Sequence, residues 1–157
     1  MQKHKERDPN KQKKALMHRL TIYSIGKTKE AWLESALDEY TKRLKPSATI
    51  SWILAKENKQ LEKLVDQEPF LACLDPAGDL MTSEKFSTWL NNSLVTAGAR
   101  LAFVIGGATG LSKQLRQKAS CLISLSPLTF THQITRLVLL EQLYRAFEIQ
   151  KGSAYHK

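Results

Sequence analysis

The chain is poor in cysteine, in acidic residues and in long apolar runs. Only two of its 157 residues are Cys, Cys73 and Cys121, and each sits inside an apolar stretch. Two such thiols exclude a disulfide framework and fit small hydrophobes in a reducing, cytoplasmic setting. No apolar run approaches the roughly 18 residues that a membrane span needs. The basic start is not followed by the apolar stretch of a secretory signal, and it is neither Ser-rich nor amphipathic as a transit peptide is. The glycines exclude two familiar phosphate-binding loops. No Gly-Lys-Ser/Thr stands at P-loop spacing, and no Gly-x-Gly-x-x-Gly is present.

Acidic residues are outnumbered 15 to 24 by Lys and Arg, for a formal charge of +9. A balance this basic points to a polyanionic partner and says nothing about fold. The excess is uneven. Residues 1–16 hold six basic and two acidic side chains, for +4, which leaves +5 on the other 141 residues. The first segment reads either as a disordered basic arm adding nonspecific RNA affinity or as the product of a misassigned start, with Met17 the true initiator. The +5 of the body reads as local basic surface. Apolar residues at 42% are ordinary for a globular chain.

From Leu20 onward short β-rich runs alternate with helical patterns. Strands are expected at 20–26, 48–54, 70–75, 100–107 and 121–125, the third stopped by Pro76 and Gly78. Helices are expected at 30–44, 56–67, from a Thr82 or Ser83 cap to Ala97, from a Ser112 cap to Ala119, and from Thr131 or His132 to Ile149. This alternation predicts an α/β fold, a parallel sheet covered by helices on both faces. Ligands then bind at the carboxyl ends of strands, so the loops after Leu74, Ile105 and Leu125 carry the interest.

Three segments stand out. IGGATGLS (105–112) places Gly106, Gly107 and Gly110 between a strand and a helix; a tight structural turn and a ligand loop are both open. SLSPLTFTHQ (124–133) is long for a strand-to-helix connection and carries Leu125, Leu128 and Phe130. It is either a packed surface loop or a pocket wall whose backbone groups recognise a planar ligand. The final helix has two apolar stripes, Leu137, Leu140, Tyr144 and Phe147 on one side and Leu139, Leu143, Ala146 and Ile149 on the other. That requires burial on two sides, against the sheet and against a second subunit. Glu141 and Arg145 are spaced as a helix-surface ion pair. The tail Gly152–Lys157 should fray, although Tyr155 and His156 suit stacking on and hydrogen bonding to a base.

Taken in order, LAFVIGGATGLS, SLSPLTFTHQ and LLEQLYRAFEIQKGSAYHK resemble the ribosomal large-subunit methyltransferase H family of SPOUT methyltransferases. The resemblance runs from about Leu20 to Lys157 and is strongest from Leu101. It implies one SPOUT domain over 17–157, a C-terminal trefoil knot and a homodimer. It implies methyl transfer from S-adenosylmethionine, with no metal, to N3 of a pseudouridine in helix 69 of 23S rRNA, in the large ribosomal subunit or the 70S ribosome. By position, the cofactor contacts fall on Leu74, Gly106, Gly107, Leu125, Ser126, Pro127, Leu128, Thr129 and Phe130. For catalysis His156 is the first candidate base, ahead of His132, for which a capping role at the helix N-terminus is expected. Arg145 and Tyr155 are expected to orient the base and its phosphate. Two departures stand in the pattern: Thr131 where many relatives have Pro, and Ala154 where Pro commonly precedes Tyr-His. Another RNA substrate such as tRNA, or a non-catalytic RNA-binding module, remains an alternative. A Rossmann-type methyltransferase is disfavoured, because only Gly26 follows the first strand.

Overall fold

The computed structural model describes residues 17–157; the basic segment 1–16, with both readings of it, lies outside the described residues. Five strands, β1 (His18–Ile25), β2 (Ala48–Ala55), β3 (Leu71–Leu80), β4 (Arg100–Ile105) and β5 (Cys121–Ser124), alternate with five helices. The helices are α1 (Ala31–Leu44), α2 (Asn58–Leu64), α3 (Ser83–Thr96), α4 (Lys113–Lys118) and α5 (His132–Lys151). The strands form one sheet in the order β2-β1-β4-β3-β5, and every pairing is parallel. All strand-end loops of interest therefore open on one edge.

Strand residues alternate between two cores because successive side chains point to opposite faces. Leu20, Ile22, Ala72, Leu74, Phe103 and Ile105 pack under α1, α3 and α5. Tyr23, Leu71, Cys73, Ala102 and Val104 pack under the shorter α2 and α4, through Leu61 and Leu115. Cys73 and Cys121 thus belong to opposite faces of the sheet, and both are free thiols. Burial pushes the Cys73 thiol up to about 12 and that of Cys121 to about 11, as expected for structural thiols.

Three expectations change. First, β3 does not stop at Pro76. It bulges over Asp75–Gly78 and resumes, so that both Leu74 and Asp79 pair with Ile123 of β5. The Asp75 carboxylate holds the bulge by accepting the Ala77 N–H at 2.8 Å. Gly78 lies directly on β5: a Cβ there would meet Ile123 N and Leu122 C at 2.6 Å. Second, α2 is only seven residues long. Third, α5 finds partners for most of its two apolar stripes within this chain. The helix lies against α1 and α3, and Leu139, Leu140, Leu143, Ala146 and Phe147 are buried, while Leu137, Tyr144 and Ile149 are only partly buried.

One buried residue of α5 is charged. Arg136 is fully buried and donates to Ser24 Oγ (3.1 Å), Thr28 Oγ1 (3.0 Å), Ile25 O (2.9 Å) and Gly26 O (2.7 Å). Gln133 adds two bonds to the same β1–α1 turn, accepting from Lys29 N–H (3.2 Å) and donating to Lys27 O (3.0 Å). The first turns of α5 are thereby fixed to the end of β1.

Replacing Gly78 by Ala pushes a methyl into the β5 backbone, which cannot move as a side-chain tip would. Overpacking of this kind costs about 1–3 kcal/mol. Chemical denaturation should show that loss, with no loss for Ala77→Gly beyond the smaller backbone-entropy effect.

Candidate functional site

The β5–α5 loop, residues 125–131, is fixed at both ends: at one by β5 under the β3 bulge, at the other by Arg136. Between them Ser124 Oγ donates to Ser126 O (3.0 Å) and Ser126 Oγ accepts from Leu128 N–H (3.0 Å), forming a tight turn around Pro127. Among the described residues, the backbone N–H groups of Ser126, Thr129 and Phe130 donate to no protein group. Leu125 and Phe130 are partly buried, while Leu128 is 73% exposed. The loop is therefore a pocket wall with free donors, not a packed connection.

Phe130 stands where three cavities meet. The smallest, about 90 Å³, is lined by Leu74, Asp75, Pro76, Leu125, Ser126, Leu128, Thr129 and Phe130, among others. A groove of about 650 Å³ runs past Gly107, Ala108, Thr129, Phe130, His132 and the 56%-exposed Trp32. A third, about 140 Å³, lies between α3 and α5. Seven of the nine expected cofactor residues line the first two. Gly106 and Pro127 line neither, but both shape the loops that do. A Cβ on Gly106 would meet the backbone of Gly110 at 2.8 Å, so the 105–112 loop closes only with Gly there.

Asp75 is 4% exposed and lines the smallest cavity. Its Oδ2 lies 3.0 Å from Arg116 Nε, off hydrogen-bonding geometry, so charge is balanced while a lone pair stays unfilled. Among the described residues no group of His, Cys, Asp and Glu could hold a metal ion. His132 is the first residue of α5 and does not cap it. Thr131 does, its hydroxyl accepting the Ile134 N–H at 3.2 Å. Burial, then the nearby Arg136 and Lys29 charges, lowers the His132 pKa.

The other three candidates meet elsewhere. Glu141 accepts from Arg145 Nη2 (2.6 Å), Arg145 Nε (3.0 Å) and the Tyr155 hydroxyl (3.0 Å) through one oxygen. Arg145 also sits over the Tyr155 ring at 4.8 Å, and Tyr155 meets Tyr144 edge-on at 4.7 Å. The Tyr155 pKa is raised by burial and by its hydrogen bonds. His156 Nδ1 is 3.1 Å from Arg145 Nη1, and its Nε2 is 2.7 Å from Glu84 Oε1. Because Arg can only donate, Nδ1 must accept and Nε2 carries the proton. The Glu84 carboxyl is correspondingly held below its ordinary range by His156. The Glu141–Arg145 pair is thus the hub of a folded tail, and the tail does not fray. None of Arg145, Tyr155 and His156 lines the three cavities around Phe130.

With this geometry in view, similarity to known proteins is informative. The family model described as "Predicted SPOUT methyltransferase" matches residues 18–156. The chain belongs to the SPOUT methyltransferase family. It is 55% identical over 141 residues to a protein of Protochlamydia amoebophila named Ribosomal RNA large subunit methyltransferase H, covering 90% of this chain and all of that one. A protein of the same name from Prochlorococcus marinus is 41% identical over 143 residues, covering 88% and 96%. The fold is shared with a probable methylase family protein from Haemophilus influenzae, at a TM-score of 0.55 and 11% identity, covering 90% of this chain and 71% of that one. The α/β class with a parallel, doubly covered sheet stands, and family membership brings with it the C-terminal knot of the SPOUT fold. Within the chain, Arg136 ties the start of α5 to the β1–α1 turn.

Sequence reasoning missed Arg136, Gln133 and Glu141's role as a hub. The signal for Arg136 was present: positions 136, 140, 143 and 147 fall on one helix stripe, and the other three are buried apolar residues.

Two outcomes follow. The His132 imidazole should titrate below the ordinary 6.5 in an NMR pH series. Its folded pKa is depressed, so as pH falls through 6.5 the unfolded chain takes up the proton first and stability declines; His132→Gln should flatten that decline. Separately, Glu141→Ala should release the tail to hydrogen exchange at Tyr155 and His156, whereas Tyr155→Phe, losing one hydrogen bond, should cost only about 1 kcal/mol.

Proposed function

We propose that the protein methylates N3 of a pseudouridine in helix 69 of 23S rRNA, using S-adenosylmethionine, on the large ribosomal subunit or the 70S ribosome in the cytoplasm. The observation that carries this reading is the 55% identity, across the full length of the relative, to a protein named for large-subunit rRNA methylation. The convergence of three strand-end loops on Phe130 supports it independently.

The residues present fit the methyl donor. Leu74, Leu125, Leu128 and Phe130 offer an apolar sleeve for a flat heterocycle. The free N–H groups of Ser126, Thr129 and Phe130 offer donors to its ring nitrogens. Pro127 fixes the turn between them, and Gly106 and Gly107 let the 105–112 loop approach without side chains in the way. Bound there, S-adenosylmethionine supplies a methyl group on a cationic sulfur, an electrophile that needs alignment more than activation. The 90 Å³ cavity is too small for the whole molecule, so it extends past Thr129 and Phe130 into the larger groove.

The contribution of Arg145, Tyr155 and His156 is positional in this reading. Arg145 and Tyr155 hold Glu141, and His156 ties Arg145 to Glu84 at the start of α3. With Nδ1 accepting from Arg145 and Nε2 facing Glu84, His156 has no free lone pair in the folded tail. It acts as base only where the Arg145 contact is broken. A second copy of the chain is proposed to cover the exposed Trp32 beside Leu33 and Ile134, giving a homodimer.

The test is mass mapping of 23S rRNA from a deletion strain, with and without a plasmid-borne copy of this gene. The helix 69 pseudouridine should lack its methyl group in the deletion strain and regain it on complementation. Methylation that persists in the deletion strain, or a methyl group lost from tRNA instead, would refute the assignment.

A further inference from the structure

We propose that the rRNA backbone docks on one half of the carboxyl edge of the sheet, on a rim formed by Lys27, Lys29, Lys56, Lys59 and Lys113. This rests on the RNA-methylation reading above and deepens it by assigning the side from which the strand reaches the donor site.

The topology builds the rim. β2, β1 and β4 are neighbours and run parallel, so their carboxyl ends open side by side. Lys27 and Lys29 follow β1, Lys56 and Lys59 follow β2, and Lys113 ends the loop after β4. The three loops are tied to one another. Gly26 N–H donates to Ala55 O at 2.8 Å, Ile25 Cδ1 lies 3.4 Å from the place of a Cβ on Gly107, and Ser112 Oγ donates to Glu62 Oε1 at 2.7 Å. Neighbouring strands are about 4.8 Å apart, so the lysines stand on adjacent loops and not on scattered surface. All five are exposed, and among the described residues none is in an ion pair. Ammonium groups that no carboxylate neutralises can replace the counterions of phosphates.

The two halves of the edge differ in sign. Against the five lysines, the β2–β1–β4 half sets Glu30, Glu57 and Glu62, the last turned to the Ser112 hydroxyl. The β3–β5 half carries Asp79 and Glu84 against Lys85, while the Asp75–Arg116 and Glu141–Arg145 pairs cancel. A polyanion is therefore drawn to the first half. Lys29 also lines the groove that passes Gly107, Thr129 and Phe130, so the rim leads to the donor site without crossing α3.

The side chains are not needed by the fold. Lys27 O accepts from Gln133 and Lys56 N–H donates to Gln60, both through the backbone, so side-chain replacement leaves these bonds in place. Lys is a flexible point charge, which suits contact with phosphate and carries no base recognition.

The experiment measures binding of the full-length protein to 70S ribosomes from the deletion strain over a series of salt concentrations. The test variant is Lys27→Gln/Lys56→Gln/Lys113→Gln. The charge-matched control is Arg19→Gln/Lys42→Gln/Lys45→Gln. Its residues are also exposed and in no ion pair among the described residues, but they lie at the amino edge. Lys42 and Lys45 stand at the far end of α1, a helix of 14 residues and so about 20 Å long. Each phosphate contact contributes roughly 0.7–0.9 to the slope of log K against log salt. The test variant should lower that slope by about 2–3 and weaken binding by about ten-fold or more at low salt, with the Kd for S-adenosylmethionine unchanged by calorimetry. The control should lose less than half as much slope, and Lys→Arg at the three test positions should retain it. An unchanged slope in the test variant would overturn the proposal, as would a control loss of half or more. A weaker donor Kd would overturn it too, because the lysines would then serve the donor. If the triple variant does not fold, the three single Gln variants decide: each should lower the slope by about 1, and three unchanged slopes would overturn the proposal. A wild-type protein that neither binds nor methylates these ribosomes would instead sink the underlying functional reading.

Discussion

A buried guanidinium with no carboxylate beside it among the described residues organises this end of the molecule. Burying an unpaired charge is costly unless hydrogen bonds compensate. Arg136 meets that cost with four neutral oxygens, all from residues 24–28, which use four of its five N–H groups. Burial lowers its pKa, yet a group that starts so basic stays charged. Because those acceptors come from a single turn, the start of α5 has one place to go. The preceding loop must then span from β5 to that place, and Phe130 is delivered to the junction of three cavities.

The same logic links the two polar clusters of the site. One end of α5 is fixed by Arg136 and Gln133 to the β1–α1 turn. The middle of the helix carries Glu141, on which Arg145 and Tyr155 converge. Next to it, Gln142 faces α3 and the cavity next to Phe130. His156 ties the tail to α3 through Glu84, an exposed contact that adds order more than stability. Methyl transfer from a sulfonium asks for exclusion of water and alignment, and a helix anchored at its start and tied at its middle to its own tail supplies alignment.

Much of this was legible in the sequence. Hydrophobic periodicity located all five strands and five helices, because parallel strands covered on both faces read as apolar runs. Two of the three ordered motifs marked loops that converge on Phe130, and the strand-end rule marked the third, after Leu74. Two things were not legible. Pro76 and Gly78 normally end a strand, but here they form a bulge, since Gly78 is required where β5 lies 2.6 Å from a Cβ position; that demand comes from a strand more than forty residues away. The apolar stripes of α5 implied a second subunit, and α1 and α3 cover most but not all of them, leaving Leu137, Tyr144 and Ile149 partly buried. Likewise an i,i+4 Glu–Arg pair looks like any surface pair until the tail folds back on it. Charge told least: the +4 segment lies outside the described residues, and the family assignment rests on motifs.

The central claim is that the donor site is built from the loops around Phe130, and intermolecular NOEs report on it directly. In a complex of the protein with S-adenosylmethionine, the adenine protons should show contacts to the methyls of Leu74, Leu125 and Leu128 and to the ring of Phe130. Contacts instead to the β1–α1 turn around Gly26, with none to Phe130, would contradict the account.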